Sequence, residues 1–172
     1  MNTQKREYVA LGVIMIIFLV FLGNSLHQSI IAVRDDIRRQ DITNLKRALE
    51  QYNNARNSYP TPPPEEDSCT ATSDKSSWLF GSQSPLLNEQ FIDAIPHDVR
   101  ESSDRSYRYC VTEKQNGQAV GYFLEARLEV PQDNMIGFDE DEMRKFDYRI
   151  VNESNKTLYR VCGGTETQCK PS

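Results

Sequence analysis

The sequence predicts an α+β fold in which one long N-terminal helix packs on a four-stranded antiparallel sheet. An uninterrupted apolar run at 9–22 is followed by apolar residues at three- and four-residue spacing as far as Tyr52, the period of a helix with one apolar face. No proline precedes Pro60, so no helix-breaking residue of that kind interrupts the pattern. Beyond residue 105, apolar and polar residues alternate between turn sequences, as they do in strands with one buried face.

The apolar run at 9–22 also predicts a membrane span. A span needs roughly 20 residues at about 1.5 Å rise each, and the flanking residues extend the run to 8–26. All four cysteines follow this segment, and cysteines in a small domain behind a hydrophobic leader indicate an oxidising compartment. We therefore expect a single-pass protein of the cytoplasmic membrane, with residues 1–7 in the cytoplasm and the C-terminal domain extracytoplasmic.

A cleaved secretory signal is the alternative interpretation of the same segment. The positively charged start and the apolar length fit a signal, and Gly23 and Ser25 are small residues at the positions that precede cleavage after Ser25. The apolar stripe continues past this point, which favours one uninterrupted helix with an amphipathic half at 27–59. Pro60 ends the helix because proline disfavours the helical conformation at Tyr59 before it. Five residues of this half are expected to pack on the sheet: Leu45, Ala48, Leu49, Tyr52 and Tyr59.

The segment 60–105 predicts loops with one short helix. Its first part, 60–77, is rich in proline and then in serine, threonine and aspartate, a composition typical of extended loops. An amphipathic helix is expected at 85–95, where Pro85 stands at the first helical position and Pro96 follows the last. The apolar residues of that helix recur at i, i+4 and i+8: Leu87, Phe91 and Ile95.

The remaining part of the chain predicts the sheet. A strand at 106–113 and a return strand at 122–130 flank Asn116-Gly117, the dipeptide most typical of a two-residue type I′ hairpin turn. A second hairpin is expected from strands at 146–151 and 156–162. The four strands together would form one antiparallel sheet with one buried face.

The four cysteines permit three disulfide pairings, of which one is preferred. Cys162–Cys169 would close a short loop at the end of the sheet region 106–172, and Cys69–Cys110 would tie the proline-rich loop to the sheet. A zinc site needs cysteines about two to four residues apart, and redox catalysis by a Cys-x-x-Cys motif needs a similarly close pair. The sequence has no such pair, so we predict disulfides, no metal site and no cofactor.

Charge and histidine placement argue against two classes of function. The chain carries 20 basic and 25 acidic side chains, a net charge of −5, with no stripe of lysine or arginine, which argues against nucleic acid as a partner. His27 and His97 have no nucleophile or carboxylate at a motif spacing, so no catalytic residue is predicted and we do not expect an enzyme. The acidic segment 133–142 lacks the EF-hand pattern. We expect a solvated loop there, with calcium binding left open.

The end of the long helix resembles a known family. The sequence DITNLKRALEQY at 41–52, followed by NSYPT at 57–61, is similar to the D-I-x-x-L-x-x-A-L-E-x-Y and Tyr-Pro-Thr of type IV pilins and type II secretion pseudopilins. The sequence IPHD at 95–98 resembles the short Ile-Pro-x-Asp turn of the same proteins. The resemblance implies a pilin-like fold and a structural subunit of a type IV pilus or a type II secretion-like assembly in the bacterial cell envelope.

The resemblance also implies the partners: the membrane, and other copies or pilin-like subunits that contact the N-terminal helix. The residues expected to form this helix-bundle face are Leu26, Ile30, Val33 and Ile37.

The beginning of the chain departs from the family pattern, in which a peptidase cuts after the glycine of a Gly-Phe-Thr-Leu-Ile-Glu type sequence. Here Lys5, Arg6, Glu7 and Tyr8 adjoin the apolar run, and cutting after Gly12 would place Ile17 where the family has glutamate. An unprocessed pilin-like membrane protein is equally compatible with this start. The alternative function is a single-pass or secreted, disulfide-stapled binding module that enters no filament.

Overall fold

A computed structural model of the chain describes residues 3–74, 76–100, 102, 105–129, 148–153 and 156–164. A long helix, α1 (Thr3–Arg56), precedes a short helix, α2 (Pro85–Asn88), and a five-stranded antiparallel sheet in the order β1-β2-β3-β5-β4. The strands are β1 (Cys69–Ala71), β2 (Arg108–Gln115), β3 (Gln118–Leu128), β4 (Tyr148–Glu153) and β5 (Lys156–Gly164). The prediction of an α+β fold with a long N-terminal helix and four antiparallel strands is confirmed, and β1 is an additional strand.

The chain divides by its internal packing into two units, residues 1–34 and 35–172. In the first unit, the large apolar side chains of α1 that the structure describes are exposed, except Ile31, which is half-buried. By its length and composition α1 can cross a membrane. The second unit contains the hydrophobic core.

The sheet is built from two hairpins that share the β3–β5 pairing. Asn116 and Gly117 connect β2 to β3 with φ angles of 52° and 82°, the positive values that a type I′ turn requires. Strand β5 then pairs along β3 from Gly121↔Gly164 to Leu128↔Thr157, and β4 pairs on the far side of β5. The hairpin predicted at Asn116-Gly117 is therefore present, and β3 lies at the centre of the sheet.

The core lies between α1 and one face of the sheet. The apolar side chains on one face of β3 are buried as the sequence indicates, because side chains of a strand point to opposite faces in turn. The other face departs from the pattern at Glu125, which is buried and pairs with Arg108 and Arg160. Large side chains in this core are each worth about 1.5–3 kcal/mol of burial. The buried core members from α1 and β3 are Ile42, Leu45, Leu49, Ala119, Tyr122, Leu124, Ala126 and Leu128.

The helix expected at 85–95 is shorter in the structure, and that expectation is wrong beyond Asn88. Helix α2 ends there, and Gln90 has a φ of 59°, which an α-helix does not allow. The Phe91 amide donates to the Leu86 carbonyl across this turn. The apolar residues of this segment are buried from a turn and do not form one helix. A single helical turn makes few hydrogen bonds, so it does not continue unless packing stabilises it.

The disulfide between Cys69 and Cys110 is present, and it joins directly opposed residues of β1 and β2. It covalently fixes a strand of three residues that has little other pairing. Cys162 is also disulfide-bonded, whereas its predicted partner Cys169 and the acidic segment 133–142 lie outside the described residues.

Replacing Gly164 by alanine should destabilise the sheet strongly. Gly164 has a φ of 96°, and an added Cβ would collide with the backbone of Val120 and Gly121. The positive φ and the backbone collision together predict a loss of at least about 2 kcal/mol in the free energy of unfolding. Urea unfolding of the full chain in detergent, followed by Trp78 fluorescence, measures it.

The matched control is Gly117→Ala. Gly117 also has a positive φ, 82°, but an added Cβ meets no atom within 4 Å. We expect this change to cost clearly less than the change at Gly164. Equal losses in the free energy of unfolding for the two variants would show that Gly164 does not pack closely against the β3 backbone.

Candidate functional site

The four residues expected to form a helix-bundle face are exposed along α1. Their exposed fractions are 65% for Leu26, 54% for Ile30, 60% for Val33 and 37% for Ile37. Apolar side chains aligned on one face of a helix and left in solvent mark a surface that binds lipid or protein. Among the side chains that the structure describes, every exposed large apolar one except Val99 lies in this stripe or in the apolar run before it.

The residues expected to pack on the sheet lie in the second unit. Leu45, Ala48 and Leu49 are buried, as is Tyr59 just beyond the end of α1. Tyr52 is half-buried and packs edge-on against Phe91, with the ring centroids 5.6 Å apart.

A carboxylate of α1 holds two tyrosines of the core. The hydroxyls of Tyr59 and Tyr122 donate to Glu50 at 3.0 and 3.1 Å. Burial, and then the charge of Glu50, raise the pKa of both tyrosines above the ordinary value, so both hydroxyls stay protonated as donors. Gly163 completes this cluster, because a Cβ there would collide with the Tyr122 ring and the Glu50 carboxylate.

A buried charge cluster at the start of the second unit is the feature that sequence reasoning missed. Arg38 of α1 is 0% exposed and contacts three carboxylates. Its Nε and Nη2 donate to the two oxygens of Asp98 at 2.6 and 2.9 Å, and its Nη1 donates to Asp35 at 2.6 Å. Its Nη2 also lies 2.8 Å from Oε1 of Glu129. We call Arg38, Asp35, Asp98 and Glu129 the Arg38 cluster.

The Arg38 cluster joins three parts of the second unit. Asp35 and Arg38 come from α1, Asp98 from the loop after α2, and Glu129 from the residue after β3. The carboxylate of Asp35 also accepts the backbone N–H of Glu129 at 2.9 and 3.0 Å. One guanidinium therefore fixes the helix to a loop and to the end of the central strand.

The electrostatics of the Arg38 cluster are favourable only while its members stay together. Burial by itself lowers the pKa of Arg38, but the hydrogen bonds to Asp98, Glu129 and Asp35 outweigh it and raise that pKa above the ordinary value. A bidentate, charge-assisted pair such as Arg38–Asp98 is among the strongest hydrogen-bond arrangements in proteins. Removing one member would leave buried charge without its partner.

The spacing of residues in the sequence places Arg38 on the buried face of α1, although its charge argues against burial. It stands four residues before Ile42 and seven before Leu45, which is the spacing of residues on one face of a helix. Asp41 interrupts the same stripe, and the Tyr107 hydroxyl donates to it at 2.6 Å. Burial raises the pKa of Asp41, although this hydrogen bond acts in the opposite direction.

A groove runs along α1 beside the loop that follows α2. It has a volume of about 360 Å³, within the roughly 300–1,000 Å³ that small-ligand sites occupy. Apolar residues form part of its wall, and an exposed Arg47 and an exposed Asp93 flank it. We call it the α1 groove, and its lining is Asn44, Arg47, Ala48, Gln51, Phe91, Ile92, Asp93, Ala94 and Pro96.

Neither metal-binding geometry nor similarity to known proteins assigns a function to the chain. Within the described ranges, no group of three or more His, Cys, Asp or Glu side chains could hold a metal ion. No protein-family model matches the chain, and no curated protein or solved structure is significantly similar to it. The α1 stripe, the Arg38 cluster and the groove are therefore the features of the chain that bear on its function.

Replacing Arg38 by methionine should destabilise the second unit far more than the same change at Arg56. Arg38→Met removes the shared cation from buried Asp35 and Asp98, and one of three arginines from Glu129, which also pairs with Arg100 and Arg105. Removing one partner of a buried pair costs about 3–5 kcal/mol. Arg56 pairs with Glu89 at 2.7 Å, but its side chain is 55% exposed, and exposed pairs contribute little.

Urea unfolding of both full-length variants in detergent measures the difference. Since both changes remove one arginine from α1, the net charge is matched. Similar midpoints for the two variants would contradict the account of the Arg38 cluster.

Proposed function

We propose that the chain is a membrane-anchored, pilin-like structural subunit of a bacterial envelope assembly, either a type IV pilus or a type II secretion-like machine. Its action is mechanical. The apolar part of α1 inserts in the bilayer and contacts other helices, and the second unit presents a surface outside the membrane.

The observation that carries the proposal is the exposed apolar stripe of α1. Residues 11–22 suit lipid, because about 0.8 kcal/mol is gained for each buried CH₂. Leu26, Ile30, Val33 and Ile37 continue the exposed face beyond that run, among neighbours such as Gln28 and Arg34 that prefer water. An apolar face flanked by polar side chains is better suited to another helix than to lipid alone.

The arrangement of elements supports the pilin-like part of the proposal. A helix that begins apolar and ends packed on an antiparallel sheet is the fold that the resemblance at 41–61 implies. The Arg38 cluster and the Glu50–tyrosine cluster anchor the end of α1 in the second unit through buried contacts.

Photo-crosslinking from α1 in membranes tests the proposal. We expect benzoylphenylalanine at position 26 or 30 to give adducts with a second copy or with another single-pass subunit. Position 28 is the matched control, because two residues along a helix turn by about 200° and Gln28 is also exposed. Its adduct should be several-fold weaker.

Two results would contradict the proposal. The first is the absence of helix adducts at all three positions in membranes that contain the intact chain. The second is a mature protein whose mass shows that it begins at Leu26, since cleavage after Ser25 would remove the span and leave a secreted binding module.

A further inference from the structure

The α1 groove has two walls that come from different parts of the second unit. One wall is the face of α1 at 44–51, and the other is the loop after α2 at 91–96. Contacts at both ends of the loop tie the walls together. Phe91 packs edge-on against Tyr52 of α1, and Asp98, just beyond the lining, is bonded twice within the Arg38 cluster. The groove is therefore a preorganised cleft, and a ligand that fills it does not have to order the walls.

The two walls carry opposite charges that do not pair with each other. Arg47 lies midway along the α1 wall and Asp93 midway along the loop wall, and both are exposed. Among the residues that the structure describes, neither has a hydrogen-bond or ion-pair partner. A ligand with a carboxylate on one side and a cation on the other would therefore match both walls at once.

The other lining residues match the rest of an extended peptide. Ala48 is buried in the α1 wall, and Phe91 and Ile92 are half-buried in the loop wall, so the groove offers apolar surface beside its charges. Asn44 and Gln51 add exposed carboxamides to the lining. A carboxamide both donates and accepts hydrogen bonds, as the N–H and C=O groups of a peptide main chain require.

We propose that the α1 groove binds an extended peptide segment in which an acidic and a basic residue are adjacent and have apolar residues on both sides. The α1 wall spans about 10.5 Å at 1.5 Å per residue, which equals about three steps of roughly 3.3 Å along an extended chain. A tetrapeptide therefore fills it. Successive side chains of an extended chain point to opposite sides, so the acidic residue pairs with Arg47 and the basic residue with Asp93.

The position of the charges identifies the source of the peptide. Because Arg47 and Asp93 lie midway along their walls, the matching charges belong to side chains within a segment and not to the free ends of a short peptide. The partner is therefore another protein that presents such a segment. This site goes beyond the proposed function, since it lies in the second unit and needs no contact of the exposed stripe.

Amide NMR of the isotope-labelled, full-length chain in detergent tests the site. The probes are acetyl-Leu-Glu-Lys-Leu-amide and acetyl-Leu-Lys-Glu-Leu-amide, which present the two charges for either direction of the peptide in the groove. We expect at least one of them to shift the amides of 44–51 and 91–96 saturably, with a Kd of about 1 mM or tighter. The absence of saturable shifts in these ranges with both peptides overturns the proposal.

Two further probes test the class of ligand. Acetyl-Leu-Ser-Ser-Leu-amide keeps the apolar ends without the charges, and free leucine is a zwitterion without a peptide chain. Each should bind about fivefold more weakly or worse, because the charge pairs or the main-chain contacts are lost. Equal affinity for either probe overturns the proposal. Shifts in the same ranges that grow with protein concentration in the absence of peptide would identify a second copy as the occupant, and they overturn it as well.

Charge reversal at Arg47 tests the pairing. Arg47→Glu should weaken binding of the tighter Glu/Lys peptide about fivefold or more, because an attraction becomes a repulsion. The same variant should bind acetyl-Leu-Lys-Lys-Leu-amide more tightly than the unchanged chain does. Lys114→Glu is the matched control, since Lys114 is exposed on β2, lies outside the groove lining and takes the same change of charge. An equal effect of the two variants, or an unchanged peptide preference with Arg47→Glu, overturns the pairing.

Discussion

The contact between Arg38 and its three carboxylates is the constraint on which the second unit depends. A guanidinium with no exposed surface is tolerated only where carboxylates surround it, and here those carboxylates come from α1, from the loop after α2 and from the end of β3. A shift of α1 by one turn, about 5.4 Å, would separate Arg38 from Asp98 and Glu129. The cluster thus sets the register of the helix on the sheet. Apolar contacts alone would fix this register less strictly.

A second polar contact fixes the other end of the packed part of α1. At the far end of the packed segment, Glu50 holds Tyr59 and Tyr122, so α1 is fixed to the sheet at two polar points with apolar side chains between them. The exposed stripe from Leu26 to Ile37 can then serve contacts with other molecules without being needed for the fold.

Much of the fold could be predicted from the sequence, because periodicity reports burial directly. The long helix, the Asn116-Gly117 hairpin and the alternation along β3 all follow from residue spacing. Strand β1 could not be found, since a strand of three residues is too short to show a period. The Arg38 cluster was missed because its members lie up to 94 positions apart in the sequence, so no local spacing indicates that they meet.

Amide hydrogen exchange of Glu129 in the full-length chain, in a detergent or lipid in which it is folded, tests the central claim most directly. This amide lies just beyond β3 and donates to Asp35, so its protection reports the contact between α1 and the end of the strand. The account predicts exchange as slow as that of the core residues Leu45 and Leu124, through unfolding of the whole second unit. Exchange of the Glu129 amide orders of magnitude faster than theirs would show that the Arg38 cluster opens on its own and does not hold the helix to the sheet.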